Sequence, residues 1–298
     1  MTLFTARDLR VDDFTAFVKA RHDIFLARAR LAPKPWTKDS ILQRYRFCNV
    51  YRELDIVTQW IAQNWREPLA ALCNPDLWFW MLVARLVNHP DTLLRLQFSS
   101  RGWNWDAQRF IKVIESMQWH GAKAWGGAYI VSTNGRQIPK AQYIATEVLT
   151  PAWELRKHIC PEQHATLRSF CDRLLQLNGV QGFIAGQVIA DAKYGDEFLA
   201  EASDWHTFAV SGPGSRRGLN RALNVDYAAS WKESEWHEAL LLLRTATNNK
   251  LQKYERKGRP QQYPLIHAQD IQNCLCEFDK YERVRLGQGK PRSSYPGT

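Results

Sequence analysis

The densest set of chemically active side chains lies near the end of the chain, in the run NCLCEFDKYERV at residues 273–284. Helical spacing places Glu277 and Lys280 on one face, three positions apart, so that a carboxylate lies beside an ammonium group. Such a pair can transfer protons in catalysis, and Asp279 is a further candidate carboxylate. It can also be a surface ion pair that contributes little to stability, and spacing alone favours that second interpretation.

A second candidate is the run GPGSRRGLNR at residues 212–221. Its glycines allow backbone N–H groups to surround an anion, and its arginines supply positive charge. We therefore predict contact with phosphate or DNA, the predicted contact residues being Gly214, Ser215, Arg216, Arg217 and Asn220. A solvated basic turn is the alternative. A P-loop needs Lys followed by Ser or Thr after its second glycine, so the sequence predicts no ATP site.

A third candidate is the run GVQGFIAGQVIAD at residues 179–191, where two predicted helices meet at a glycine-rich turn. It resembles the helix-hairpin-helix of DNA-repair glycosylases, in which glycines and a helix N-terminus approach a DNA phosphate. On this interpretation Gly179 and Gly182 contact DNA, while Gln187 binds substrate and Asp191 is a catalytic candidate. An ordinary turn between two helices, with glycines at the helix ends, is the alternative.

Polar side chains recur in a fourth run, RFCNVYRELDIVTQW at residues 46–60. Arg52, Asp55 and Gln59 are three and four positions apart, which predicts one polar face of a helix, and Asn49 lies on the same predicted helix. Such a row of polar groups can bind a substrate or join two helices. The sequence leaves both interpretations open.

Helices must position these residues, because apolar side chains recur at helical spacing along most of the chain. The predicted helices cover residues 12–30, 37–65, 75–88, 104–119, 161–177, 183–193, 236–254 and 268–284. The run AWGGAYIVST at residues 124–133 precedes Asn-Gly and predicts a strand and turn, whereas residues 138–149 fit a strand or a helix. The predicted fold class is mainly α, a multi-helix globular protein with at most a small β-hairpin.

We predict one helical catalytic domain over residues 1–290, with a possible sub-domain boundary near residues 120–160 and a tail at residues 291–298. The chain of 298 residues has a formal net charge of +10, and residues 244–298 carry eleven basic and five acidic groups. A basic surface favours a polyphosphate partner such as nucleic acid. No run of 18 apolar residues and no secretory signal is seen, so we predict no membrane partner.

The six cysteines lack the spacing of a zinc site, so we predict reduced thiols and no metal. The chain also contains thirteen tryptophans, and most of them are expected to fill the core of a helical protein.

Taken together, five runs resemble a known family in their order along the chain: residues 46–60, 126–132 (GGAYIVS), 179–191, 212–221 and 273–284. That family is the α-glutamyl/putrescinyl-thymine pyrophosphorylases, also called phage amino acid:DNA transferases, and the resemblance spans residues 44–292. A related helical domain accompanies the phage 5-hydroxymethyluracil DNA kinases. Since no P-loop is seen in this sequence, the resemblance points to the stand-alone transferase branch.

The resemblance implies a phage-encoded enzyme that works in the host cell cytoplasm on double-stranded DNA containing modified thymine. A kinase first phosphorylates 5-hydroxymethyluracil in that DNA. The transferase then replaces the phosphate or pyrophosphate of 5-phosphomethyl-deoxyuridine with the amine of a free amino acid or polyamine, glycine being favoured. The product would protect viral DNA from host restriction, and no cofactor is implied.

This chemistry assigns expected roles to the candidate residues. Arg216 and Arg217 would bind the leaving phosphate. A carboxylate would accept a proton from the amine, the candidates being Glu277, Asp279 and Asp191. A cation, Arg52 or Lys280, would bind the carboxylate of an amino acid.

Tyr129 is one of several aromatic residues that could stack on an extruded base, although the C5 substituent of thymine already lies in the major groove and flipping is not required. Two other functions remain open on the sequence. One is a base-excision glycosylase built on the helix-hairpin-helix, and the other is a DNA-binding module without catalytic activity.

Overall fold

The computed structural model describes residues 10–127, 132–255, 262–291 and 293–295. The chain divides into two compact units. Unit 1 combines Met1–Asp55 with Ala209–Thr298, and unit 2 is Ile56–Phe208. The domain boundaries expected from the sequence stay a prediction.

Helices account for nearly all the regular structure of the described residues, which confirms the mainly α fold class. In chain order the α-helices are α1 (Val11–Ala29), α2 (Ser40–Arg44), α3 (Ile56–Ile61), α4 (Glu67–Ala71), α5 (Leu77–Val87), α6 (Pro90–Leu96), α7 (Ala107–Trp119), α8 (Lys140–Gln142), α9 (Thr150–Glu154), α10 (Arg156–Ile159), α11 (Leu167–Leu174), α12 (Gly182–Ala192), α13 (Glu197–Ala200), α14 (Pro213–Leu223), α15 (Glu233–Gln252) and α16 (Ala268–Arg285). Short π-helical segments, Ala62–Arg66 and Tyr143–Leu149, continue α3 and α8, and single 3-10 turns cover Arg52–Leu54 and Ser99–Arg101.

The core of unit 1 forms where α16 packs along α14, with α1 and α15 against it. The apolar stripe of α16 follows helical spacing, since Ile271, Leu275 and Phe278 are all buried. Phe14 of α1 meets Phe278 edge to face, with ring centroids 5.4 Å apart. This packing holds the polar faces of α14 and α16 in fixed positions.

A glycine permits the close approach of α14 and α16. A Cβ atom added at Gly218 would lie 2.0 Å from the carbonyl oxygen of Leu275 on α16. That oxygen belongs to the backbone of a buried helix and cannot rotate away, so residue 218 must lack a side chain in this packing.

We therefore expect Gly218→Ala to lower the free energy of unfolding of unit 1 by about 3 kcal/mol, because the added methyl group forces the two helices apart. Chemical denaturation measures the loss. The matched control is Gly212→Ala at the start of the same helix, where no atom lies within 4 Å of an added Cβ. Equal losses for the two variants would contradict this account of the helix contact.

Unit 2 is built around α5, which packs against α12. Every residue of Leu77–Val87 is buried, as expected for a helix that is apolar on all sides. Arg85 is the one charged residue of this helix, and it is buried like the others, with a side chain that is 1% exposed. A buried arginine needs a partner, and α12 supplies one.

The tryptophans follow the sequence expectation in most cases. Five are buried: Trp65, Trp78, Trp80, Trp103 and Trp236. Seven more are partly buried, and only Trp119 is largely exposed, at 88%.

The single helix predicted over residues 37–65 is wrong. The structure has the short α2, an irregular segment at residues 46–55, and then α3. Three backbone N–H groups of that segment bond side-chain carboxylates instead of carbonyls one turn earlier: Cys48 to Glu277, Asn49 to Asp55 and Arg52 to Asp270. Arg52, Asp55 and Gln59 therefore do not share one helical face.

The described residues around the predicted strand, 124–127 and 132–137, contain no strand, and residues 128–131 lie outside the described part of the chain. Residues 138–149, which fit strand or helix, are helical from Lys140. The only β pairing in the described chain is an isolated antiparallel bridge between Tyr45 and Ser294.

Candidate functional site

The irregular segment at residues 46–55, called here the 46–55 loop, forms one wall of the candidate site in unit 1. It is anchored from α1 by Arg21, which is 4% exposed. The Arg21 guanidinium donates from Nε to the Cys48 carbonyl at 3.1 Å and from Nη2 to the Asn49 carbonyl at 3.1 Å. Buried arginine contacts of this kind fix the loop against the helix.

One face of α16 lies against this loop. Asp270, Asn273, Glu277 and Lys280 follow one another at intervals of three, four and three residues, which places them in a row along the helix. Asp270 accepts the N–H of Arg52 at 3.0 Å, and Glu277 accepts the N–H of Cys48 at 3.3 Å. The row and the loop therefore support each other.

Glu277 and Lys280 form the ion pair that helical spacing predicts. Lys280 Nζ lies 2.5 Å from Glu277 Oε1, and the Glu277 side chain is 3% exposed while that of Lys280 is 41% exposed. Burial alone would lower the pKa of Lys280, but the Glu277 carboxylate raises it above the ordinary value. Lys280 is therefore a fixed cation at neutral pH, with a buried carboxylate behind it.

Asp55 is a second carboxylate at this wall. Its Oδ1 accepts the N–H of Asn49 at 3.0 Å, and the Asn49 side chain in turn donates to the Leu54 carbonyl. Burial raises the pKa of Asp55, although the Asn49 N–H bond and the charge of Arg52 oppose the shift. Asn49 holds the loop through its bonds to Asp55 and Leu54, and Arg52 holds it through the bond from its N–H to Asp270.

A separate cluster of charges lies where α16 meets α14. Asp279, 1% exposed, accepts Arg217 Nε at 3.0 Å and Arg221 Nε at 2.9 Å, and Arg283 Nε lies 3.7 Å away. Arg221 is buried, whereas Arg217 is 39% exposed. The buried Asp279 carboxylate thus holds Arg217 in place while part of the Arg217 side chain stays exposed to solvent.

Arg216, the neighbouring arginine, points to a different set of partners. It donates from Nε to Ser211 Oγ at 2.8 Å, from Nη2 to Glu233 Oε2 at 2.8 Å, and from Nη1 to the Trp231 carbonyl. These contacts tie the start of α14 to the start of α15. Of the two arginines predicted to bind phosphate, Arg217 is the one whose side chain bonds a single partner, Asp279, within the described part of the chain.

Ser215 and Asn220 are also engaged within the protein. Ser215, fully buried, bonds the backbone of Gly212 and caps α14. Asn220, 1% exposed, donates to the carbonyls of Tyr227 and Ala229. Gly214 lies against Cys276 of α16, where an added Cβ would be 3.2 Å from Sγ. These residues shape the turn and the helix contact.

The Cys276 thiol lies within electrostatic reach of both charge groups. Burial raises its pKa to about 12, and Glu277 and Asp279 act in the same direction while Lys280 and Arg217 oppose them. The thiol therefore stays protonated at neutral pH and is a poor nucleophile. Cys276 is three positions before Asp279 and four before Lys280, so it lies between these two residues on the surface of α16.

The other predicted site residues lie in unit 2. Gln59 is exposed on α3, and Gln187 is partly buried on α12. Gly179 has a left-handed φ of +75° in the turn between α11 and α12, and Gly182 begins α12. Two packed helices and a tight turn are therefore present, but their identity as a helix-hairpin-helix stays a prediction. Tyr129 lies outside the described residues.

Asp191 is the partner of the buried Arg85. The Asp191 carboxylate accepts Arg85 Nε at 2.5 Å and Nη2 at 2.7 Å, and both side chains are 1% exposed. Arg85 also donates to Thr58 and Asn88. This arrangement is that of a closed structural ion pair, so we do not include Asp191 in the candidate site.

Asp191→Asn should therefore lower the free energy of unfolding of unit 2 by roughly 3–5 kcal/mol, because it leaves the Arg85 charge buried without a counter-charge. Thermal and chemical denaturation measure this loss. The control is Glu147→Gln, which removes a carboxylate from a more exposed pair with Arg136 and should change stability little. A folded Asp191→Asn protein with unchanged stability would contradict the structural role.

Sequence reasoning missed Arg21, although the sequence contained a signal. Arg21 falls on the buried stripe of α1 with Phe14, Phe17 and Val18, at helical intervals from each. A lone charged residue on an apolar stripe indicates a buried, partnered group.

In the described part of the chain, no group of three or more His, Cys, Asp and Glu side chains is arranged to hold a metal ion. None of the described helices has the length and apolar character needed to span a bilayer.

Comparison with known proteins identifies the class. Residues 9–290 match the family model of the helical domain of 5-hmdU DNA kinase, and the chain belongs to that family. The match relates it to a DNA-modifying enzyme and suggests DNA as its partner. No curated protein and no solved structure matches the chain.

Proposed function

We propose that this protein is a phage amino acid:DNA transferase that acts on 5-phosphomethyl-deoxyuridine in double-stranded DNA. It replaces the phosphate or pyrophosphate with the amine of a free amino acid or polyamine, glycine being the favoured co-substrate. The resulting hypermodified thymidine would protect viral DNA from host restriction. The observation that carries the proposal is that α16 presents both a buried carboxylate paired with a lysine and a buried carboxylate paired with arginines.

The leaving group accounts for the arginine cluster. When the bond between the exocyclic carbon and the phosphate oxygen breaks, negative charge develops on that oxygen and must be stabilised. Arg217 is held by Asp279 at 3.0 Å yet is 39% exposed, so its remaining N–H groups can meet a phosphate. Asp279 is then a positioning residue, since its two oxygens are engaged by Arg217 and Arg221.

The incoming amine accounts for the carboxylate–lysine pair. An ammonium group must lose a proton before its nitrogen can bond the exocyclic carbon, and we assign Glu277 as the acceptor of that proton. Lys280, charged at neutral pH, lies in front of Glu277 and can bind the carboxylate of the amino acid. Asp55, with its raised pKa, is the second carboxylate at this wall.

The exchange is balanced without a further reagent. One carbon–oxygen bond breaks and releases phosphate, one carbon–nitrogen bond forms, and the proton from the amine passes to a carboxylate and then to solvent. Since the C5 substituent of thymine lies in the major groove, the carbon is accessible without flipping the base out of the duplex.

The test is to incubate the protein with duplex DNA carrying 5-phosphomethyl-deoxyuridine and, separately, glycine, glutamate or putrescine. The DNA is digested to nucleosides, and their masses are measured by mass spectrometry. We expect a new nucleoside with at least one amine, and none when the DNA carries unphosphorylated 5-hydroxymethyl-deoxyuridine. Abasic sites would instead indicate a glycosylase, and DNA binding with no product from any amine would indicate a binding module.

A further inference from the structure

A strongly basic surface of unit 1 has no role in the site described above. Residues 28–46 contain six basic side chains and one acidic side chain, Asp39. All six basic residues are exposed: Arg28, Arg30, Lys34, Lys38, Arg44 and Arg46. Four of them, Arg28, Lys34, Arg44 and Arg46, gather with Trp36 and Tyr295, and this set is called here the basic face.

Aromatic rings hold the cations of the basic face together. Lys34 Nζ lies 5.4 Å from the centre of the Trp36 ring and 5.6 Å from that of Tyr295. Arg28 lies 5.6 Å from the Trp36 ring, and Arg46 lies 5.7 Å from the Tyr295 ring. The two rings meet edge to face at 5.7 Å. Cation–π contacts leave the N–H groups of these side chains available to an anion.

The end of the chain completes the basic face. The N–H of Arg46 donates to the Ser293 carbonyl at 3.1 Å, and the N–H of Tyr295 donates to the Arg44 carbonyl at 3.0 Å. Residues 293–295 thus run antiparallel to residues 44–46. This pairing places the Tyr295 ring between Lys34 and Arg46.

Three cations of the basic face have no acidic group in contact among the described residues. Among the described residues, no carboxylate lies within 4.0 Å of the Arg28, Lys34 or Arg46 cations. Asp39, the one acidic residue of the segment, caps α2 through the N–H groups of Ile41 and Leu42 and accepts the Tyr281 hydroxyl at 2.6 Å. Arg28, Lys34 and Arg46 therefore contribute a positive potential to this surface, which attracts an anionic partner.

A crevice joins the basic face to the candidate site. Its lining includes Arg28 and Tyr295 of the basic face, and Cys48 and Asn49 of the 46–55 loop. A polyanion lying across the basic face would therefore pass beside the loop that backs the Glu277–Lys280 pair.

We propose that the basic face binds the phosphate backbone of duplex DNA and directs the strand toward the 46–55 loop. The proposal rests on the proposed function only in taking DNA as the partner. Each phosphate contact releases counterions, so binding through this face must weaken steeply as salt rises.

The test compares two triple charge reversals of the full-length chain. One is Arg28→Glu, Lys34→Glu and Arg46→Glu on the basic face. The matched control is Arg95→Glu, Arg101→Glu and Lys112→Glu, three exposed residues of unit 2 that change the net charge equally. The dissociation constant for a labelled, unmodified 20-base-pair duplex is measured by fluorescence anisotropy at several salt concentrations, after circular dichroism has shown that both variants keep the helical content of the parent.

We expect the basic-face variant to bind at least about 10-fold more weakly, with the slope of log K against log salt reduced by about 2–3 units. The control should keep both the affinity and the slope. Equal losses in both variants, or unchanged binding by the basic-face variant, would overturn the proposal. The proposal would also be overturned if the basic-face variant still bound DNA but no longer bound phosphatidylserine vesicles, since the face would then be a membrane-binding surface.

A second variant guards against local misfolding of the reversed residues. Tyr295→Ala removes one ring and no charge, and we expect a smaller loss of DNA affinity, about 2- to 5-fold, because Lys34 and Arg46 are less well held. The two proposals fail separately. If the parent protein binds DNA through this face but yields no product with any amine, the transferase function is wrong and the role of the basic face is kept. If the charge-reversed protein forms product with the KM for DNA of the parent, the transferase function is kept and the role of the basic face is wrong.

Discussion

Glu277→Gln is expected to lower the rate of amine transfer by a factor of about 10²–10⁴, the usual loss when a proton acceptor is removed. Glutamine keeps the size of the side chain and can still accept the N–H of Cys48, but it cannot take a proton from the amine. DNA affinity should be nearly unchanged, because the Glu277 side chain is 3% exposed and no DNA contact is assigned to it. Single-turnover kinetics on phosphorylated DNA measure the effect.

The matched control for this variant is Glu282→Gln on the same helix. Glu282 is also a buried carboxylate, 5% exposed, and it is paired with Arg285 at 2.7 Å. Any general effect of neutralising a buried carboxylate of α16 appears in both variants, whereas loss of the proton acceptor appears only at Glu277. Equal transfer rates for the two variants would remove Glu277 from the chemistry.

Arg217→Ala has the second largest expected effect, a loss of about 10²–10³ in transfer rate, because the leaving phosphate loses its cation. Stability should fall little, since Asp279 keeps Arg221 Nε at 2.9 Å and is not left unpaired in the core. Arg217→Lys should recover only part of the rate, because lysine has the charge but not the planar pair of donors.

Arg285→Ala is the control for this second variant. Arg285 is 43% exposed and paired with a buried carboxylate, as Arg217 is, but it lies outside the assigned site. If both alanine variants transfer amine at the parent rate, the phosphate-binding role of Arg217 is wrong. Arg216→Ala should affect mainly stability, because Arg216 joins the starts of α14 and α15 through Ser211 and Glu233.

Local sequence patterns predicted most of the longer helices, because their causes are local. The apolar stripes of α1 and α16 are each contained in fewer than twenty residues. The sequence predicts no helix over residues 213–223, where α14 forms, because its glycines favour a turn. The 46–55 loop could not be predicted in that way. Its backbone N–H groups bond Glu277 and Asp270, which are more than 200 positions away, and these bonds override its helical pattern.

The same division applies to the candidate site. Helical spacing was enough to predict the Glu277–Lys280 pair. It could not distinguish Arg216 from its neighbour Arg217, because the difference lies in Glu233 and Asp279, which reach them from two other helices. Nor could it show that Asp191 meets a buried arginine, since Arg85 precedes it by 106 positions.

The most direct test of the central claim is a stoichiometric one. Duplex DNA with 5-phosphomethyl-deoxyuridine is mixed with the protein and ¹⁴C-labelled amines, glycine first, and released phosphate (as orthophosphate or pyrophosphate) and DNA-bound label are counted in the same samples. We predict equal amounts of both at every time point, with the rates of both lowered by a factor of about 10²–10⁴ in Glu277→Gln. Phosphate release without bound label, or no release at all from DNA that the protein binds, would contradict the account.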